Sequence, residues 1–470
     1  MVFSSALFIF CFLPITLLFY YIAYQSGKIY LSNIVLLCAS LFFYAWGGVL
    51  YFLILLFVII LNFLLTIAMS RYRPYRKIIF IFILIIDLGN LLYFKYFNFF
   101  IDNVQNAGRY FGAEILTNIS TVALPIGISF YTFQIISYVV DVFSEKVEVQ
   151  KDFIKLALYV TMFPQLIAGP IVRYKDVNKE IAKRNIKLSD VETGIKRFII
   201  GFFKKVFIAN TMGNMADTVF GMDGSFNTLY AWMGAICYAL QIYYDFSAYS
   251  DMAIGIGRML GFHFNENFDF PYKSKDIQEF WRRWHISLSS WFRDYVYIPL
   301  GGNRKGTFRT YIHLAIVFLL TGFWHGAAWQ FILWGAYHGC FSILERIGLK
   351  KILKKMPDIF CHCYTMVVVI IGWVFFRADN LNRAVAYLKN MFSINFTDFK
   401  SYAVIEQFTS IFWGCFLISI IFSVTRMEFL NKFKFWRNVT FTRFRYLTLW
   451  FISVLYLIGL SYNPFIYFKF

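Results

Sequence analysis

Charged residues are scarce in this chain of 470 residues: Asp, Glu, Lys and Arg together make up 15% of it. Hydrophobic residues make up 59% and aromatic residues 22%. This composition excludes an intrinsically disordered chain, which needs many charges and few apolar residues. It also excludes ordinary soluble domains, since the apolar residues suffice for roughly ten to twelve membrane segments of about 20 residues each. We therefore predict an all-α, polytopic integral membrane protein.

Acidic residues are fewer than basic ones, 26 against 45, so the formal net charge is +19. In a soluble chain such an excess would suggest nucleic-acid binding, but the sequence contains no nucleic-acid-binding module. The basic residues instead cluster between apolar stretches, at 71–77, 173–205, 346–355 and 426–445. Short loops rich in Lys and Arg stay in the cytoplasm. We expect these loops to orient the protein, with membrane lipids and no nucleic acid among its partners.

The chain has seven cysteines, an odd number that does not suggest a disulfide framework. Cys361, His362 and Cys363 form a small cluster, but their spacing fits no zinc signature. P-loop, HExxH and GxSxG motifs are absent from the sequence. We predict no metal site and no bound cofactor.

The apolar stretches predict a series of membrane segments with the N-terminus outside. We place the segments at 1–27, 29–70 (two spans hinged at Trp46-Gly47-Gly48), 78–97, 122–142, 311–344, 364–376, 404–424 and 446–465. Residues 102–118 are polar and predict an extracytoplasmic loop. With no repeat or flexible linker in the sequence, we expect a single domain over 1–470.

Two stretches do not fit simple alternation across the membrane. A full span at 154–172 would place the basic stretch 173–205 outside, against the usual charge bias. Pro164, Gly169 and Pro170 interrupt this segment, so we predict that it is re-entrant. Residues 262–311 are too amphipathic for a span and too aromatic for a solvated linker, which predicts short helices at or within the membrane interface.

Three of the six histidines, His285, His325 and His338, lie within the polar, aromatic stretches 280–306 and 321–339. A buried imidazole is the usual general base for removing a proton from a hydroxyl group that attacks an acyl carbonyl. Trp324 and Gly326 flank His325, packing one side with apolar atoms and leaving the backbone open, so it is the first candidate. Along a continuous helix His338 would lie about 20 Å away and be rotated by roughly 220°, so we expect it outside the site of His325. His285 can converge with His325 through folding, whereas a core histidine with a single hydrogen bond is the alternative for each.

Intramembrane polar residues also permit a different function. Asp245 and Asp251 lie in an otherwise apolar segment and, with the histidines, could form the ion or substrate path of a transporter. No inverted repeat supports that alternative.

Several longer motifs resemble those of one family. They are GISFYTFQ, FPQLIAGPIVR, YYDFSAYSDMAIG, FWRRWHISLS, DYVYIPLGGNRKG, GFWHGAAW and WVFFRADN, in this order between residues 124 and 380. The sequence resembles the membrane-bound O-acyltransferase family, in its bacterial alginate O-acetylation branch. Ala248 stands where this branch would have Gly, a small departure. The teichoic acid D-alanyl transferases share both histidine stretches and are the alternative branch.

The resemblance implies catalytic roles for His325 and His285 in a tunnel at the centre of a ring of helices. It also implies an acyl group taken from a cytoplasmic thioester, with acetyl-CoA as donor, and an extracytoplasmic partner similar to an SGNH hydrolase. The expected location is the bacterial inner membrane, and the expected reaction is O-acetylation of a cell-envelope or exported polysaccharide, which the sequence does not identify. The expected substrate-binding residues are Trp324, Asn303, Arg304 and Asp294. For Asn303, Arg304 and Asp294 the alternative is a fixed interfacial structure or a lipid contact. Arg282, Arg283 and Arg293 extend the basic surface that would receive an anionic donor.

Overall fold

A computed structural model describes residues 1–117, 119–167, 169–397, 401–425, 436 and 438–459. Regular secondary structure in these residues is helical, with no strand. The chain forms two compact units, the first comprising 1–194 and 253–265, the second 195–252 and 266–470. Two helices, Leu188–Phe203 and Thr228–Met259, cross from one unit to the other.

The first unit consists mainly of long apolar helices. Its helices are α1 (Leu13–Gln25, preceded by a π-helical turn at Phe8–Phe12), α2 (Ile29–Ala45), α3 (Val49–Arg71), α4 (Arg76–Tyr110, preceded by a 3-10 turn at Arg73–Tyr75), α5 (Ile128–Phe143), α6 (Phe153–Thr161), α7 (Phe163–Leu166) and α8 (Tyr174–Ala182), followed by the start of α9 (Leu188–Phe203).

The second unit mixes long helices with short ones. After α9 it contains a π-helical segment (Lys204–Ala209), α10 (Asn210–Phe220), α11 (Thr228–Met259), a 3-10 turn (Pro271–Lys273), α12 (Ile277–Arg283), α13 (Ile286–Phe292), a π-helical segment (Arg293–Tyr297), α14 (Thr307–His325), α15 (Trp329–Leu344), a π-helical segment (Glu345–Leu349), α16 (Lys350–Leu353), α17 (Asp358–Arg377), α18 (Leu381–Phe392), α19 (Tyr402–Ile405), α20 (Ser410–Val424) and α21 (Val439–Gly459).

Among the described residues, six helical segments are long and apolar enough to cross a membrane. They are Phe8–Gln25, Val49–Arg71, Arg73–Tyr110, Thr307–His325, Asp358–Arg377 and Val439–Gly459, with shorter apolar helices at Ile29–Ala45, Ile128–Phe143 and Ser410–Val424. The predicted all-α, polytopic membrane architecture is therefore confirmed. The hinge at Trp46-Gly47-Gly48 is also confirmed, because α2 ends at Ala45 and α3 begins at Val49.

The predicted interruption of 154–172 is present. Helix α6 ends at Thr161, and the extended backbone of Met162 leads into the short α7, where Pro164 occupies the first turn. Residues 161–167 are buried, and the side-chain amide of Gln165 donates to the backbone oxygen of Tyr159 at 2.5 Å. A backbone that leaves helical geometry here thus lies within protein, as a membrane segment of this kind requires.

Other predicted boundaries were wrong. Helix α4 runs from Arg76 to Tyr110, so much of the stretch predicted as a loop at 102–118 is helical; Asn118 lies outside the described residues. Hydropathy identifies the apolar part of a helix but not its end, since a helix can continue with solvated polar side chains. The apolar stretch 311–344 forms two helices, not one, and the basic stretch 426–445 lies largely outside the described residues.

Helices α14 and α15 form a tight antiparallel hairpin. A Cβ atom on Gly322 would lie 2.3 Å from the backbone oxygen of Phe331, and one on Gly335 would lie 2.4 Å from that of Phe318. These glycines therefore let the two backbones approach closely, as small residues do between membrane helices. The chain turns at 326–328 in extended geometry, and a Cβ on Gly326 would collide with the ring of Phe331 at 2.3 Å.

Candidate active site

The C-terminal end of α14 places His325 inside the second unit. Its side chain is buried and is surrounded by three aromatic rings. The imidazole centroid lies 5.0 Å from the Trp324 ring, 5.0 Å from the Trp334 ring and 5.1 Å from the Phe376 ring. The tight hairpin turn after His325 and the rings from α15 and α17 thus hold this imidazole in an enclosed position.

His285 occupies the sharp junction between α12 and α13. Its backbone has a φ of 43° and a ψ of 56°, a left-handed conformation that non-glycine residues rarely adopt. Such geometry costs of order 1 kcal/mol or more and clusters at functional sites. The side chain is fully buried, and its ring meets that of Phe246 edge to face at 4.6 Å.

One side-chain amide fixes the orientation of His285. Oδ1 of Asn267 lies 3.1 Å from His285 Nδ1 and accepts from the backbone N–H of Ser287 at 3.2 Å and from its hydroxyl at 2.9 Å. Because a backbone N–H can only donate, the amide atom facing it must be the oxygen, so His285 Nδ1 carries the proton. In the neutral imidazole Nε2 is then a hydrogen-bond acceptor, and it has no partner among the described residues.

The same amide connects His285 to α11. Nδ2 of Asn267 donates to the hydroxyl of Ser250 at 3.1 Å, which explains a polar residue in the apolar YYDFSAYSDMAIG stretch. Asn267 therefore holds His285 against a long buried helix. Asn267 could not be selected from the sequence, because its partner His285 lies 18 residues away across two short elements. Its position in the aromatic stretch 262–311 was the only signal.

Trp324 brings the two predicted catalytic histidines into one site. Its ring lies 6.1 Å from the ring of His285 and 5.0 Å from that of His325. The predicted convergence of these histidines through folding is thus observed around a shared indole, and the substrate-binding assignment of Trp324 fits this position.

His338 was predicted to lie away from the site of His325 on the assumption of one continuous helix, and the structure contradicts that assumption, because the chain breaks at 326–328 and returns. As a result, the ring of Trp334 lies 5.0 Å from the ring of His325 and 5.2 Å from that of His338. His338 is fully buried and also contacts Trp281 and Tyr337.

Asn303 and Arg304 are exposed on the turn that precedes α14, at the opposite end of this helix from His325. His325 ends that helix, whose 19 residues span roughly 28 Å. The backbone oxygen of Gly302 in this turn contacts His313 Nδ1 at 2.9 Å, which ties the turn to α14. Asn303 and Arg304 therefore cannot contact an acyl group held at His325, although they could contact a distant part of a long donor.

Asp294 is only partly buried and pairs with Arg293 at 2.7 Å. Its hydrogen bond holds the pKa of Arg293 above the ordinary arginine value. This ion pair explains why an acidic residue stands at position 294. The predicted contact of Asp294 with substrate stays a prediction.

The intramembrane carboxylates that suggested a transporter form ion pairs. Asp245 contacts Lys205 at 2.8 Å with both side chains buried, and Asp251 contacts Lys204 at 2.6 Å and Arg197 at 2.9 Å. Paired charges of this kind neutralise one another inside the protein. Within the described residues, no group of three or more His, Cys, Asp or Glu side chains has the arrangement of a metal site.

Comparison with known proteins places this geometry in context. The sequence model of the membrane-bound O-acyltransferase family matches residues 9–383. The probable alginate O-acetylase AlgI of Pseudomonas putida is 41% identical over 500 aligned residues that cover all of both chains. The peptidoglycan O-acetyltransferase of Helicobacter pylori is 37% identical over 84% of this chain and 80% of its own length. The teichoic acid D-alanyltransferase of Bacillus subtilis is 30% identical over 52% of this chain and 65% of its own length.

The family model and the Pseudomonas putida relative cover both histidine segments, the hairpin of α14 and α15 and most of the membrane helices. The chain belongs to the membrane-bound O-acyltransferase family and is an acyltransferase.

Proposed function

We propose that this protein transfers an acetyl group from acetyl-CoA to hydroxyl groups destined for a cell-envelope or exported polysaccharide. The observation that carries the proposal is the enclosed site in which His285 and His325 contact the same indole. Relatives that align over most of this chain and are named as alginate and peptidoglycan O-acetylating proteins support acetyl transfer to a glycan.

In the proposed reaction His325 is the general base. It accepts the proton of the acceptor hydroxyl as the oxygen attacks the thioester carbonyl. The new C–O bond forms, the C–S bond breaks, and the proton passes to the departing thiolate. The thioester makes this exchange favourable without ATP.

The tautomer of His285 supports a specific role for this second histidine. Its Nδ1–H faces Asn267, so Nε2 offers a lone pair and no proton. The single O–H proton of the attacking hydroxyl goes to His325, so His285 Nε2 can accept a hydrogen bond only from a second hydroxyl group of the acceptor, and it cannot donate to the carbonyl oxygen. We assign His285 to orienting the acceptor through that second hydroxyl; another donor must stabilise the oxyanion.

The charge distribution supports a cytoplasmic approach of the donor. Arg304 and Lys305 precede α14, and the segment 346–355 after α15 contains five basic residues and no acidic one. Both open ends of the hairpin therefore belong on the cytoplasmic side. We place the protein in the bacterial inner membrane, with an extracytoplasmic partner similar to an SGNH hydrolase receiving the acetyl group for delivery to the glycan.

A deletion strain complemented with variants tests the proposal. We expect deletion to remove ester-linked acetate from one envelope glycan, the wild-type gene to restore it and His325→Ala to fail at equal protein level. The matched control is His362→Ala, since His362 lies on α17 fourteen residues before Phe376, about 21 Å along the helix axis from the ring that contacts His325. Normal acetate with His325→Ala would reject the catalytic proposal and favour a scaffold that recruits another enzyme.

The same extracts distinguish D-alanyl transfer, which the more distant teichoic acid relative suggests. Loss of ester-linked alanine with unchanged acetate would select that reaction instead. A transporter would alter neither ester directly.

A further inference from the structure

A buried polar stripe runs along one face of α15 and into the segment that follows it. Its members recur every three or four residues, the spacing that places side chains on the same side of a helix. All five side chains are buried: Gln330, Trp334, His338, Ser342 and Glu345. The stretch from Trp334 to Glu345 covers about 16 Å along the helix axis.

The polar side-chain atoms in the middle of this stripe make no hydrogen bonds within the described part of the chain. Trp334 Nε1, both ring nitrogens of His338 and the hydroxyl of Ser342 lack a hydrogen-bond partner in the part of the chain that the structure describes. A buried polar group without a partner costs about 1–3 kcal/mol. Four such atoms in succession on one face indicate that water molecules or substrate atoms pair with them.

The residues packed around His338 leave its Nε2 atom unobstructed. A Cβ on Gly372 would lie 2.5 Å from His338 Nε2, so only glycine at that position leaves the nitrogen unobstructed. The rings of Phe280 and Trp281 from α12 cover other sides of the imidazole. Burying an unpaired imidazole in this cage of aromatic rings costs more free energy than burying an apolar side chain. This difference indicates that the ring nitrogens of His338 serve the protein's function.

The two ends of the stripe differ. Near one end, Trp334 contacts the ring of His325. At the other, the carboxylate of Glu345 accepts from the backbone N–H groups of Ile277 and Gln278, and from the hydroxyl of the partly exposed Tyr364 at 3.2 Å. The basic segment 346–355 follows directly, so the Glu345 end faces the side assigned above to the cytoplasm.

We propose that this stripe is a proton path between the His325 site and the cytoplasmic side, with His338 as its central relay residue and Ser342 and Glu345 as the next members. The inference rests on the proposed acetyl transfer. In that reaction His325 takes one proton from the acceptor hydroxyl, and the stripe carries this same proton to the thiolate as it departs towards the cytoplasm, so that the path gains and loses one proton in each turnover. Gaps of one helical turn between members are bridged by water, and Trp334 Nε1–H orients the first molecule.

The test uses the full-length purified protein, acetyl-CoA and a hydroxyl acceptor, with kcat and its solvent deuterium isotope effect as readouts. His338→Phe keeps an aromatic ring in the cage and removes both nitrogens; His362→Phe is the matched control. We expect His338→Phe to lower kcat about tenfold or more, less than the roughly 10²–10⁴-fold contribution of a direct acid–base catalyst. The isotope effect should rise and KM for acetyl-CoA should stay unchanged, whereas a merely structural defect would change KM and leave the isotope effect unaltered.

Ser342→Ala gives a second, smaller perturbation if His338→Phe does not fold. We expect it to lower kcat and raise the isotope effect in the same direction. Wild-type values of both quantities in folded His338→Phe or Ser342→Ala would overturn the proton path. His325→Ala in the same assay separates the two proposals: if it is inactive while the stripe variants behave as wild type, only the path fails, and if it is fully active, the proposed catalytic function fails.

Discussion

Replacing Asn267 by Ala should disable His285 without touching the reacting atoms. The substitution removes the acceptor of His285 Nδ1–H and of two donors from Ser287, and the donor to the Ser250 hydroxyl. A buried donor left without its partner costs about 1–3 kcal/mol. If that cost falls on the productive orientation of His285, kcat should drop by a factor of about 5 to 150, since 1.4 kcal/mol corresponds to tenfold.

The assay is acetyl-CoA-dependent ester formation by purified protein, with kcat and KM measured separately. Asn267→Asp provides the discriminating variant, because a carboxylate accepts the same hydrogen bonds but favours the imidazolium form of His285. We expect Asn267→Asp to fold like the wild type. The acidic limb of its plot of kcat against pH should move to higher pH, because the imidazolium form of His285 is favoured. Asn265→Ala, at an exposed position two residues away, is the matched control. Wild-type kcat in a folded Asn267→Ala protein would refute the positioning of His285 by this amide.

Three further predictions concern packing, buried charge and the donor. Gly335→Ala should lower the free energy of unfolding, measured in detergent, by about 1–3 kcal/mol, because its Cβ would lie 2.4 Å from a backbone oxygen. The control Gly414→Ala should be neutral, since nothing lies within 4 Å of a Cβ at that position. Equal stabilities of the two variants would contradict the tight hairpin. Asp245→Asn or Lys205→Met alone should lower the free energy of unfolding by about 3–5 kcal/mol, because each leaves the partner charge buried and unpaired, whereas the double variant should recover most of this loss. A double variant as unstable as the single variants would disprove a structural ion pair. Arg304→Glu should raise KM for acetyl-CoA with kcat nearly unchanged, and a fall in kcat alone would place this residue in the chemistry.

The membrane architecture could be predicted because its signals are local. Long apolar runs, the glycine hinge at 46–48 and the prolines within 154–172 each act on their own segment of chain. His285 and His325 could be selected as catalytic candidates because the motifs around them resemble those of one family. None of this required knowledge of contacts between distant residues.

Long-range geometry was not accessible in the same way. The continuous helix assumed for 311–344 was wrong because an apolar stretch carries no period that distinguishes one helix from a hairpin. The need for glycine at position 326, where a Cβ atom would collide with the ring of Phe331, is visible only in the folded structure. Asn267 acts through an 18-residue separation, and Arg304 stands a whole helix away from His325. Nearness in sequence therefore grouped Arg304 with His325, which the fold separates. It gave no indication of Asn267, which the fold brings to the site.

The measurement that addresses the central claim most directly is acceptor-dependent release of free thiol from acetyl-CoA by the purified protein, compared with its His325→Ala variant at equal amounts of folded material. The site described above predicts that the wild type releases thiol and forms an acetyl ester in equal amounts, and that His325→Ala does neither above background. Undiminished thiol release by His325→Ala would contradict a catalytic role for the enclosed imidazole.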